Sequence, residues 1–218
     1  HRYATLAEEM AVKETDATRK QELMELAAFA RAAQADLQAD VLAPVTGSLD
    51  FIIDGEEWRL SGSLTELRQN GLVRLRYDNG SAWDYLAGWI EHLFLNALVP
   101  DGIAPHSVWY YKNESVRLHA YKEAKNRLFE LVDIYRTGLM APVHFFPRSS
   151  WEFVSSDDNM NRARGEWVHA QHANGGEHAE RYTQLAMRGV DNPLDDDFIE
   201  LSKRVFVPLY GHLNGEIS

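Results

Sequence analysis

Near residue 44 the hydrophobic pattern changes period, and that change restricts the chain to a mixed α/β fold. Residues 2 to 40 are dominated by Ala, Leu, Glu, Gln, Lys and Arg and contain neither Gly nor Pro, which predicts helix. Asp16 is placed to cap a second helix, whose apolar stripe is Leu23, Leu26, Ala27, Ala30, Ala33 and Leu37. Pro44 and Gly47 close this region. Beyond them Leu49, Phe51 and Ile53 point to one face at a period of two, the mark of a strand. Asp54-Gly55 and Asn70-Gly71 have hairpin-turn chemistry, so residues 48 to 77 read as a three-stranded antiparallel meander.

The pattern then returns to helix. Asp78-Asn79-Gly80-Ser81 leads into a helix ending near Val99, with Trp83, Leu86, Ala87, Ile90, Leu93, Phe94 and Ala97 as its expected buried face. Residues 107 to 120 suggest a hairpin, and residues 121 to 137 an amphipathic helix with Gly138 as C-cap. Pro142 and Pro147 bracket an apolar loop, and Ser149 is expected to cap a helix from Trp151. A helix near 159 to 171 and a final one over 195 to 207, ended by Pro208, complete the reading. The division expected is a helical extension over 1–44 and a main domain over 45–218.

Charge and composition exclude several classes of function. Lys and Arg total 22 against 33 Asp and Glu, a formal net charge of -11. A protein that grips phosphates over its whole surface is basic, so this chain should repel bulk DNA, although a local basic patch is compatible with that balance. The absence of cysteine removes disulfides, thiolate nucleophiles and cysteine metal sites, and suits a reducing cytoplasm. No apolar run approaches the roughly 20 residues of a membrane span. The chain starts at His1 with no apolar signal segment behind it, as expected of a piece of a longer parent or a tag scar.

Candidate sites are sparse. There is no GxSxG, no phosphate-binding glycine loop and no HExxH. His169 and His172, with Glu177 and His178 nearby, read as solvated groups in a polar segment, and His92 as a hydrogen-bonded packing residue. The meander says more. Many metal-dependent nucleases set an Asp on one strand and an acid, one residue, then Lys on the next, so that two carboxylates hold Mg²⁺. Here Thr65 stands where the first acid would be, Arg74 where the second would be, and Arg76 at the lysine. A hydroxyl and two guanidinium groups cannot cage a divalent cation, and Arg74 would repel one. Arg59, Arg74 and Arg76 remain as a set that could meet phosphate or a protein partner, while Arg68 reads as a turn residue. No metal or cofactor is expected.

The segments Leu60-Ser61-Gly62-Ser63-Leu64, Gly71-Leu72-Val73-Arg74-Leu75-Arg76, Trp89-Ile90-Glu91-His92-Leu93, Tyr135 to Pro142, Phe146 to Trp151 and Phe206-Val207-Pro208-Leu209 resemble, in order and spacing, the C-terminal domain of RecC, the gamma chain of bacterial exodeoxyribonuclease V. The resemblance runs from about residue 40 to 210 and is weaker over the N-terminal helices. It implies a degenerate restriction-endonuclease-like core of the PD-(D/E)XK type that has lost its acids. It also implies RecB-like and RecD-like subunits as partners, and a DNA fork within the full complex. The expected role is non-catalytic structure and docking, with Val143, Phe145 and Phe146 and the final helix as the docking surface. Two other roles are a divergent nuclease recruiting Glu66 or Glu91, and a weak DNA-binding module built on the arginines.

Overall fold

In the computed structural model, residues 2–112, 114–168 and 175–213 are described. Two helices open the chain, α1 (Arg2–Lys13) and α2 (Ala17–Ala33). Asp16 caps α2 by accepting the Arg19 N–H at 2.8 Å. Of the expected α2 stripe, Ala27 and Ala33 are buried, whereas Leu26 is exposed.

The three-stranded meander does not form. β1 (Val45–Ile53) and β2 (Glu56–Leu64) make a separate two-stranded sheet, turned at Asp54 and Gly55, both of which have positive φ. Glu66, at φ 57°, then ends the strand alternation. The chain enters a second sheet of order β3-β4-β5-β6, made of β3 (Leu67–Arg68), β4 (Gly71–Leu75), β5 (Ser107–Tyr110) and β6 (Ser115–Leu118). β3 and β4 are antiparallel, β4 and β5 are parallel with Leu72 opposite Ser107, and β5 and β6 form the expected antiparallel hairpin. Gly71 is required at its place because a Cβ there would lie 2.2 Å from the His106 carbonyl oxygen.

The crossover between β4 and β5 carries α3 (Ala82–Leu98). Its buried face matches the expected one only in part: Leu93 and Phe94 are buried as expected, with Leu95, but so are Ala82, Tyr85, Trp89, His92 and Asn96, while Trp83 and Ile90 are exposed. Apolar residues occur all round this helix, so spacing alone could not set its phase. The polar members of the buried face are satisfied there. His92 Nδ1 lies 2.9 Å from Ser107 Oγ, and Asn96 accepts the Tyr121 N–H at 2.8 Å.

The remaining helices are α4 (Ala124–Met140), α5 (Pro147–Ser155), α6 (Met160–Val168), α7 (Arg181–Ala186) and α8 (Asp196–Leu213), with a single 3₁₀ turn at Glu177–Ala179. Gly138 is inside α4 rather than its cap, and the helix stops just before Pro142. α5 starts at Pro147, the first-turn position where proline loses nothing, so Ser149 is within the helix. α8 continues through Pro208, held by the burial of Leu209, Gly211 and His212 beyond it.

Two compact units emerge. The first takes in the chain up to Ile52, Glu56–Gly80 and Glu91–Ala124; the second takes in Ile53–Gly55, Ser81–Ile90 and the chain from Lys125. In the first, α2 packs on the four-stranded sheet through Ala33, Val73, Val108 and Tyr110, flanked by Phe29 and Leu37. In the second, the core is aromatic. Phe146 lies 4.5 Å from Trp167 and 6.1 Å from Phe198, and Trp151 lies 5.3 Å from Phe206, ring centre to ring centre.

Candidate functional site

β4 and the second half of α3 bring Arg74 and Glu91 together in the first unit. Arg74 Nε and Nη2 donate to the two Glu91 carboxylate oxygens at 2.8 and 2.7 Å, a bidentate fork. Arg74 Nη1 donates to the Thr65 carbonyl at 3.1 Å and approaches Thr65 Oγ1 at 3.4 Å. All three guanidinium nitrogens and both Glu91 oxygens are therefore engaged. The Glu91 carboxylate beside the expected nuclease position faces a fixed positive charge, so a divalent ion would have to displace that charge or sit against it. Glu66 does not join them. It is exposed, and its nearest cation is Arg68 at 4.0 Å. Arg68 itself is a buried residue of β3, not a turn residue.

The three expected contact arginines come from different places in the first unit. Arg59 is on β2, which does not pair with β4, and its guanidinium meets Asp50 at 2.6 and 3.2 Å. Arg76 follows β4 and has Asp78 at 3.7 Å. Each arginine has an acid partner from this chain, which lowers the positive potential offered to phosphate.

One residue of the expected docking loop is buried. Phe146 is 4% exposed and belongs to the aromatic core, so it cannot meet a partner. Phe145 is half-buried, with its ring 5.7 Å from Phe206. Val143 is half-buried and lines a cleft beside α8. Much of α8 is likewise core, including Phe198, Val205, Phe206 and Leu209.

Three arrangements were not foreseen from the sequence. Glu177, read as part of a polar segment, is 1% exposed. It accepts the Arg148 N–H at 3.0 Å, the Ser149 N–H at 2.8 Å and the Ser149 hydroxyl at 2.8 Å, so a distant carboxylate caps α5. Burial raises its pKa above the ordinary carboxylate value despite these donors. The neighbouring His178 is exposed as expected, whereas His169 and His172 lie outside the described residues. A clue did exist in Gly176, where a Cβ would lie 2.1 Å from the Trp167 carbonyl oxygen.

Asp36, just beyond α2, accepts from Tyr110 at 2.5 Å, Arg117 at 2.9 Å and Asn70 at 3.2 Å. Burial pushes its carboxyl up, but these donors together hold it below the ordinary range, while burial and Asp36 push the Tyr110 phenol up to about 12.

One metal-capable trio converges among the described residues. Ligand atoms of His144, Asp195 and Asp197 lie within 4.8 Å of one another. His144 Nδ1 is 2.9 Å from both Asp195 oxygens, and Asp195 also accepts the Phe198 N–H at 3.1 Å. This pair is satisfied without a cation. Burial pushes Asp195 up, but His144 and the Phe198 N–H keep it below the usual carboxylate value.

The sequence model of the RecC C-terminal domain matches residues 13–158. The chain belongs to the RecC C-terminal domain family. That family is part of the exodeoxyribonuclease V gamma chain, and membership assigns the chain to the RecBCD exonuclease-helicase complex and to recombinational DNA-break repair. None of the curated proteins compared with the chain matches it. The RecC match includes Thr65, Arg74, Glu91 and α5, and ends before α6. It begins earlier than the segments that first suggested RecC, and Phe206 to Leu209 lie beyond it. No helix among the described residues is long and apolar enough to cross a membrane.

Proposed function

We propose that this RecC C-terminal domain is a non-catalytic structural and docking domain of a cytoplasmic RecBCD-type complex, held against RecB-like and RecD-like subunits near the DNA fork. The observation that carries the reading is the Arg74 fork on Glu91, with Thr65 at its third edge. A two-acid metal site needs free carboxylate oxygens, and this locus offers an arginine. The parallel β4-α3-β5 crossover with antiparallel strands on either side supports a degenerate PD-(D/E)XK core. The role requires no cofactor. The acidic balance of -11 favours protein contacts over DNA held by this chain alone.

Neither alternative gains support. A divergent nuclease needs Glu91 for metal, and both its oxygens are occupied. An arginine module needs Arg59, Arg74 and Arg76 free of acids, and each has one. The direct test is size-exclusion chromatography of the chain with purified RecB-like and RecD-like subunits. Co-elution with at least one of them is expected. Failure to co-elute with either, or Mg²⁺-dependent DNA cleavage lost in Glu91→Gln, would falsify the proposal.

A further inference from the structure

β5 and β6 are tied at their turn by the Tyr111 N–H on the Glu114 carbonyl at 2.9 Å, and they pair as far as Ser107 with Leu118. One step further toward the open end of this hairpin, the same register sets His106 opposite His119. Hydrogen-bonded and non-bonded pairs alternate along an antiparallel ladder. Counting from Tyr111 and Glu114 makes His106 and His119 a non-bonded pair, the kind whose side chains stand closer together. Their rings do meet, with centres 5.6 Å apart at an interplanar angle of 87°. Both histidines are exposed, so an ion can reach them directly from solvent.

The backbone beneath them is fixed. The His106 carbonyl accepts the Leu72 N–H at 2.9 Å and presses on Gly71, while the neighbouring Ser107 and Leu118 are buried. Two imidazoles that share one zinc ion at the usual Zn–N length of about 2.0–2.1 Å hold their ring centres about 5–6 Å apart at a tetrahedral angle. The pair therefore already has the spacing of a chelate, and aiming an exposed ring takes a change of rotamer rather than of backbone. The donor type selects the ion. Imidazole suits zinc, nickel and copper, and is a poor match for magnesium or calcium, which take oxygen. We propose that His106 and His119 form a two-histidine clamp for a divalent transition-metal ion of the zinc class. Two protein ligands fill half of a tetrahedral shell, and water completes it. The clamp is independent of the docking role proposed above.

The full chain, carrying isotope-labelled histidine, is titrated with zinc chloride and separately with magnesium chloride, and the imidazole C–H signals are followed by NMR. Zinc should shift the His106 and His119 signals together along one binding curve, and magnesium should leave them in place. His106→Ala should weaken the response of His119 about tenfold, and His119→Ala that of His106, because the second arm of a chelate acts at high effective concentration. Both positions are exposed, so neither variant should disturb the rest of the spectrum. Separate curves for the two rings, a His119 response that survives loss of His106, zinc taken up only at other histidines, or an equal response to magnesium overturns the proposal.

Discussion

At the scale of single residues, two features account for much of what the chain can and cannot do. Arg74 and Glu91 form a partly buried bidentate pair, with side chains 28% and 37% exposed. Arg74→Ala should cost about 1–2 kcal/mol, after allowing for solvent screening of so exposed a pair. A double-mutant cycle with Glu91→Gln should recover most of that loss as coupling, and additive losses would mean that the pair is incidental. Glu177 is the other. Because burial raises its folded pKa, its contribution is fully present below the unfolded carboxylate value and is lost as pH rises through the raised one. Glu177→Gln cannot ionise and escapes that loss. In urea titrations its midpoint relative to wild type should therefore climb from acid toward neutral pH, and a pH-independent difference would contradict the raised value.

At the scale of elements, α3 separates what the sequence conveyed from what it did not. Its existence and limits were legible from the apolar spacing of three and four. Its buried face was legible only in part, because Tyr85, Trp89, His92 and Asn96 look less like core than Leu86 and Ile90, and only tertiary partners such as Ser107 reverse that order. Trp89→Ala should cost about 3–5 kcal/mol, whereas Ile90→Ala, 37% exposed, should cost less than about 1 kcal/mol in chemical denaturation. The reverse ranking would restore the face expected from spacing. The β1-β2 hairpin was readable because its turn chemistry is local. The parallel β4-β5 pairing was not, since it joins strands separated by a whole helix and leaves no turn signature. Glu177 escaped for the same reason: a carboxylate that caps a helix 28 residues earlier has no short-range pattern.

At the scale of the whole molecule, the decisive quantities are net charge and its placement. With a formal charge of -11 and acid partners on Arg59, Arg74 and Arg76, the isolated chain should show no measurable binding to forked or single-stranded DNA at physiological salt. Fluorescence anisotropy checks this. Binding that weakens in Arg74→Ala and Arg76→Ala, with a shallower salt dependence, would instead favour an arginine module. The family motifs were visible in the residues. Burial of Phe146 was not legible, because an apolar loop looks the same in sequence whether it faces a partner or fills its own core.

The guanidinium seated on Glu91 also bears on how such a domain evolves. Replacing Arg74 with an acid alone would leave two carboxylates facing each other without a counterion, and replacing Glu91 alone would strand the arginine. On the nuclease ancestry proposed above, any route back to a two-acid site passes through loss of this ion pair, a cost that favours keeping the paired state.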